Sequence, residues 1–317
     1  MPSRTQSKTG TPLVSVIMNC YNGEQYLQAA IDSVFAQTYA NWELVLWDNA
    51  STDGTRAIAL ACSNDKRFRY FRAETNTSLG TARNKAIHSA QGALIAFLDC
   101  DDRWLPDKLT RQVALLESRP DVDFIYGNFY FTRPGNEHLH QGLKRRQGEG
   151  QIFARQLRYF SINLQTVVVR KSALDALPEL FDVNLSLAED YDLFLRVLYS
   201  SQAAYIHDPL VIYRMHSGMS SIRYAGKYPE ELIYCIDKLK RLHPDLGLRY
   251  GREMAYLEAK AAYWRAKEAI SNGNVSAGRA LLKPHRSKSP VFFLLYFATY
   301  LTANQWLKLQ DLRLFLR

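Results

Sequence analysis

Ala93-Leu94-Ile95-Ala96-Phe97-Leu98-Asp99-Cys100-Asp101-Asp102 carries an apolar strand straight into three carboxylates. The two-residue period of a strand puts Asp99 and Asp101 on the same side. In parallel α/β sheets ligands bind beyond the carboxyl ends of strands, so polar residues that follow an apolar run mark candidate sites. Three like charges this close are costly unless a cation relieves them. Mg²⁺ or Mn²⁺, held by one or two carboxylates plus substrate phosphates, suits such oxygen donors. The plainer alternative is an exposed acidic turn capping a helix at Pro106.

Around this stretch, short β-branched or aromatic runs alternate with helical ones from Leu13 onward, the pattern of an α/β domain with a mostly parallel sheet. The strand runs are Val14 to Met18, Glu43 to Asp48, Arg67 to Arg72, Ala93 to Leu98 and Val122 to Tyr130. Helices are expected over Glu24 to Phe35, Asp53 to Cys62, Leu79 to Ser89 and Pro106 to Glu117. Arg133 to Gly150, with Pro134, four Gly and Lys144-Arg145-Arg146, reads as a mobile surface loop between two halves of the body. The second half is expected to hold a helix near Ile152 to Phe160, a strand Gln165 to Arg170, a helix from about Glu189 and a strand Leu210 to Arg214. From Tyr224 to about Lys283 the pattern is helical and charged.

Two further acidic segments stand at element ends. The run ending in Trp47 leads into Asp48-Asn49-Ala50-Ser51-Thr52-Asp53-Gly54-Thr55, which places Asp48 at a strand tip with turn and N-cap residues behind it. An acceptor there suits the N–H of a nucleobase or a ribose hydroxyl, although turn chemistry alone also accounts for the segment. Glu189-Asp190-Tyr191-Asp192 opens an amphipathic helix, where acids commonly complement the helix dipole. A carboxylate in that turn can also serve as general base toward a hydroxyl.

The chain has 317 residues, with 40 Lys+Arg against 31 Asp+Glu, 47% apolar and 12% aromatic, enough to bury a sizeable core and to exclude wholesale disorder. Residues 1–221 carry 23 basic and 23 acidic side chains, and residues 222–317 carry 17 and 8, so the excess of +9 belongs to the C-terminal part. Cys20, Cys62, Cys100 and Cys235 lie far apart and form no CxxC pair, which supports neither a zinc ribbon nor a disulfide scaffold and suits reduced thiols. Residues 1–12 are polar, are expected to be a disordered tail, and lack the apolar core of a secretory signal; a cytoplasmic protein is expected.

Read in order, these segments resemble the bacterial glycosyltransferase family 2, whose members have the GT-A fold. The resemblance rests on Val14-Ser15-Val16-Ile17-Met18-Asn19-Cys20-Tyr21-Asn22, the Gln37 region before Trp42-Glu43, Asp48 to Thr55, and Gly80-Thr81-Ala82-Arg83-Asn84. It continues through Asp99 to Asp102, Glu189-Asp190 and Tyr213-Arg214-Met215-His216, about 200 residues in all. It implies a GT-A domain over residues 13–221, with a nucleotide-binding half at 13–130 and an acceptor-binding half at 131–221. A helical, basic region at 222–317 follows. The implied reaction is an inverting, divalent-metal-dependent sugar transfer from a nucleotide-sugar donor to a saccharide or lipid-linked saccharide acceptor in surface polysaccharide or lipopolysaccharide assembly. Carried over by position, Tyr21 and Asp48 would contact the nucleobase, Arg83 would lie near the nucleotide and Asp99 would bind the ribose. Asp101 would ligate the metal, Mn²⁺ or Mg²⁺, with His216 approaching it, and Asp190 would deprotonate the acceptor, Glu189 and Asp192 being the alternatives. The sequence departs from the common pattern at Asn49-Ala50, where many relatives have Asp-Gly, and at Asn19, where many have Thr.

Lys283-Pro284-His285-Arg286-Ser287-Lys288 precedes an apolar run, Val291 to Leu301, that is about half the ~20 residues needed to span a bilayer. An amphipathic segment over 288–309 therefore suits peripheral attachment to an anionic membrane surface, or else burial in the body or in a dimer contact. Rival functions are a metal-dependent nucleotidyltransferase and a non-enzymatic nucleic-acid or membrane-binding module. The neutral body with its acids at strand tips speaks against nucleic acid as a partner.

Overall fold

The computed structural model describes residues 10–303, 305 and 306. Most of the expected N-terminal tail and the end of the 288–309 segment thus lie outside the described residues. In chain order the elements are β1 (Val14–Cys20), α1 (Leu27–Phe35), β2 (Trp42–Asp48), α2 (Thr55–Ala61), β3 (Phe68–Arg72), α3 (Leu79–Ser89), β4 (Leu94–Phe97), β5 (Arg103–Trp104), α4 (Lys108–Ser118), β6 (Val122–Arg133) and β7 (Asn136–Gln141). There follow α5 (Phe153–Arg158), β8 (Val168–Arg170), α6 (Lys171–Asp175), α7 (Glu189–Leu198), β9 (Gln202–Arg214), α8 (Ser220–Arg223), α9 (Tyr228–Leu242), α10 (Leu246–Ser271), α11 (Val275–Leu282) and α12 (Pro290–Ala298).

Two compact units result. Among the described residues, the first comprises 10–151, 162–184 and 197–219, and the second 152–161, 185–196 and those from 220 onward. The first holds a sheet in the order β3-β2-β1-β4-β8-β6-β9-β5, with β7 paired to β6. β3, β2, β1, β4, β6 and β9 run one way, and β5, β7 and β8 oppose them. β1 is buried at every residue and β2 at all but one, as strands covered on both faces must be. Val14, Val16, Met18 and Cys20 share one core with Leu27, Ile31 and Val34 of α1 and Leu109, Val113 and Leu116 of α4. α3 packs on β1 and β2 apart from that core. Each fully buried Leu, Ile or Val contributes about 1.5–3 kcal/mol, which fixes the strand ends that carry the acids.

The second unit is helical. Segments 152–161 and 185–196 belong to it because their side chains pack on its helices. Phe153 meets Tyr250, Tyr159 meets Tyr256, and Lys238 of α9 reaches Asp192.

Three expectations change. Residues 133–150 are not all loop: Asn136–Gln141 pairs with β6 across a turn at Gly135 (φ 71°), and Gly142 N–H donates to Phe129 O. The Pro-Gly pair that read as loop is the hairpin's turn. The strand expected at Gln165 to Arg170 begins only at Val168, because Asn163 Oδ1 accepts from Gln165 N–H and winds Leu164–Thr166 into a 3₁₀ turn. The last strand is longer than expected, since Gln202 onward pairs with β6.

Candidate active site

β1 lies between β2 and β4, which are reached in opposite directions along the sheet, so the switch point where such sheets bind ligands lies beyond their carboxyl ends. Loops there are tied to one another. Asn22 N–H donates to Ser51 Oγ (3.0 Å), Thr52 N–H donates to Asn22 Oδ1 (2.8 Å), and Asn49 Nδ2 donates to Thr77 O (2.8 Å). Ala50 holds φ 64°, the left-handed region that Gly enters without cost, at the position where the sequence resemblance leads one to expect Gly.

The three carboxylates after β4 converge: oxygens of Asp99, Asp101 and Asp102 lie within 4.8 Å of one another. His216, after β9, brings Nε2 to 2.8 Å from Asp101 Oδ2. Asp102 Oδ1 accepts from Arg214 N–H (2.7 Å), while its Oδ2 is buried with no hydrogen bond among the described residues. Burial, reinforced by the charges of Asp101 and Asp99, pushes the Asp102 carboxyl well above the usual range. Burial and Asp99 likewise raise Asp101, with His216 opposing them. A cluster of crowded oxygen donors with one buried lone oxygen fits a divalent cation.

Arg83 is nearly buried and donates to Asp99 Oδ1 (2.8 Å). Its helix is held close to the chain at 181–183: Asn84 Nδ2 donates to Phe181 O (2.8 Å), and a Cβ on Gly80 would stand 2.8 Å from Asp182 O. Tyr21 extends into solvent, 52% exposed. Asp48 ends β2 as expected but is fully buried. Ser51 N–H donates to its Oδ1 (2.8 Å) and Tyr70 Oη to its Oδ2 (2.7 Å), so a direct contact with a base must share these bonds. The first unit thus brings Tyr21, Asp48, Arg83, Asp99, Asp101 and His216 to one end of its sheet.

Asp190 belongs to the second unit. Of the three acids opening α7, Asp192 is fully buried and locked, its Oδ2 accepting from Arg196 Nη2 (2.7 Å) and Lys238 Nζ (3.0 Å). Glu189 is buried too, whereas Asp190 is half-buried. Burial and then the neighbouring Asp190 raise the Tyr228 hydroxyl to about 12, so it stays neutral. The turn before α7 is held by Glu231, which accepts from Ser186, Leu187 and Ala188 N–H, each at 2.9 Å. Glu231→Ala strands three donors, and it is expected to lower stability by about 3 kcal/mol. Urea titration checks this; a midpoint equal to that of the wild type would show that the bonds contribute nothing.

Two site residues carried no assigned role in the sequence. Gln165 brackets Asp99, its Nε2 donating to Oδ2 (2.6 Å) and its Oε1 accepting from Asp99 N–H (3.1 Å). Arg214 donates through Nε to Asp101 O (3.1 Å) with its guanidinium 4.5 Å over the Tyr26 ring. Arg214 lies within the Tyr213-Arg214-Met215-His216 segment, which signals it, whereas the local pattern at Gln165 is only that of a strand start.

Residues 15–175 match the family described as Glycosyl transferase family 2. Over 218 residues the chain is 34% identical to the UDP-Glc:alpha-D-GlcNAc-diphosphoundecaprenol beta-1,3-glucosyltransferase WfgD of Escherichia coli, spanning 69% of this chain and 82% of that one. The structure is similar to that of S. aureus TarS 1-349 in complex with UDP-GlcNAc, with TM-score 0.65, 18% identity and coverage of 90% of this chain and 91% of that one. It is also similar to the mannosyltransferase PcManGT of Pyrobaculum calidifontis in complex with GDP-Man and Mn2+, with TM-score 0.63, 19% identity and coverage of 96% and 85%. The fold is the GT-A fold that the sequence resemblance implied.

Proposed function

Since the chain belongs to glycosyl transferase family 2 and is a glycosyltransferase, we propose that it moves a sugar from a nucleoside-diphosphate sugar to an acceptor hydroxyl with inversion at the anomeric carbon. The observation that carries this is the convergence of Asp99, Asp101, Asp102 and His216 beyond the strand ends. Asp101, Asp102 and His216 would hold the divalent ion, which when bound neutralises charge on the departing diphosphate.

The remaining roles fall to the chain itself. Tyr21 offers an exposed ring to the nucleobase, and Asp48 anchors the loop beside it. Asp99 accepts a ribose hydroxyl, kept in place by Arg83 and Gln165. Asp190 takes the proton from the acceptor hydroxyl; Asp192 is already neutralised by two cations, and Glu189 is buried. Attack from the face opposite the leaving group inverts the sugar carbon. The E. coli relative, by its name, acts on a GlcNAc-diphosphoundecaprenol acceptor. A lipid-linked saccharide in cell-surface polysaccharide assembly is the corresponding acceptor class for this chain.

Thermal unfolding in the presence of UDP-, GDP- and dTDP-sugars tests the donor. One nucleotide class should raise the midpoint with Mn²⁺ present and lose that effect in EDTA. No response to any nucleotide sugar would sink the proposal, and release of pyrophosphate in place of a nucleoside diphosphate would identify a nucleotidyltransferase.

A further inference from the structure

α12 is apolar on two sides. Ser289 caps it, its Oγ accepting from Phe292 N–H, and no charged residue occurs from 289 to 301. Phe292, Leu295, Tyr296 and Thr299 recur at helical spacing and are buried in the second unit, the first three in one cluster with Tyr263 and Ile270 of α10 and Leu282 of α11. That stripe anchors the helix. On the other side, Phe293, Leu294 and Phe297 of α12, with Tyr300 and Leu301 of the turn that follows it, are between 44% and 62% exposed, and Phe293 and Phe297 lie ring to ring at 4.5 Å. Five large apolar side chains gathered on one exposed side mark a surface that meets something apolar.

The charge around this surface selects what it meets. Lys283, Arg286 and Lys288, all exposed, line the turn that leads into α12. Arg279 lies 3.9 Å over the Tyr300 ring and donates to Thr299 O, which puts a fourth cation at the helix's far end. No Asp or Glu occurs between Glu268 and Asp311, so the cations near α12 in sequence have no acid beside them in the chain. A second copy of this chain would set these cations against their own like, which is repulsive. A bilayer of anionic lipid offers acyl chains to the aromatic residues and phosphates to the cations. Among the described residues no helix is long and apolar enough to cross a membrane. The nine residues of α12 would lie in the interface plane.

We propose that the exposed side of α12, with Lys283, Arg286 and Lys288 at its entrance, is the surface by which this chain docks on an anionic bilayer. It goes beyond the sugar-transfer proposal and does not depend on it. The test is flotation of the full chain with phosphatidylcholine vesicles, with and without phosphatidylglycerol, and with no nucleotide or acceptor present. The wild type should float with the anionic vesicles only and be released by high salt. Phe293→Ser/Phe297→Ser and Lys283→Glu/Lys288→Glu should each lower the bound fraction more than about tenfold, with helical circular dichroism unchanged. Flotation of both variants at the wild-type level would overturn the proposal. So would a vesicle-free dimer that Phe293→Ser/Phe297→Ser splits into monomers, because the occupant would then be a second copy.

Discussion

Asp190→Asn is expected to lower kcat by about 10³-fold, within the 10²–10⁴ range of a lost general base, while leaving nucleotide affinity unchanged. An amide of nearly the same shape cannot take the proton of the acceptor hydroxyl, and it leaves α7 intact. The split between kcat and nucleotide binding is diagnostic. A structural residue would alter both through unfolding, and Asp192 is the contrasting case. Its carboxylate sits between Arg196 and Lys238 with no exposed surface, so Asp192→Asn is a stability variant. Initial rates of sugar transfer, with nucleotide binding by calorimetry, check the expectation. Turnover of Asp190→Asn at the wild-type rate removes Asp190 from the mechanism.

Asp101→Ala is expected to abolish metal stimulation, lowering transfer by 10²–10³-fold or more, since the charge on the leaving diphosphate loses its clamp. The variant also has a signature without turnover. In the wild type, burial and Asp99 raise the Asp101 carboxyl, with His216 opposing them, so ionising it costs the folded chain stability. Removing it relieves that repulsion, and in EDTA the variant should unfold no earlier than the wild type. Mn²⁺ with nucleoside diphosphate should raise the wild-type midpoint and leave that of the variant unmoved. A variant that unfolds much earlier in EDTA would make Asp101 a structural residue.

β1, β2 and β4 are legible because a short apolar run buried on both faces and closed by polar turn residues has few other solutions; β3, buried only at Phe68, is legible from its aromatic run. The acids at the tips of β2 and β4 were legible for the same reason: an apolar strand fixes where its polar end must emerge. What escaped depends on partners far along the chain. Gln165 reaches Asp99 across 66 residues, and Arg214 reaches the Asp101 carbonyl across 113, and neither leaves a local periodicity. The β6–β7 hairpin was hidden by Pro134, Gly135 and the basic run, whose local chemistry reads as loop while the ladder is set by pairing.

The C-terminal helices illustrate the same limit. By charge they read as an appended cationic region. Glu231 and Lys238 nevertheless bind the backbone and side chains of 186–192, so the helices that carry the excess charge also hold the turn that bears Asp190. That support is built from single buried charges, each reaching more than forty residues back. No sequence window contains both ends of such a bond.

The central claim is sugar transfer with inversion, driven by Asp190 against a leaving nucleoside diphosphate. It is tested most directly by product analysis with the donor that the unfolding screen selects. Proton NMR of the product gives the anomeric configuration, and coupled detection gives the nucleoside diphosphate released. The account predicts one nucleoside diphosphate per glycoside formed, an anomeric configuration opposite to that of the donor, and loss of both products in Asp190→Asn. A product that retains the donor's configuration, or glycoside formed at the wild-type rate by the variant, would contradict it.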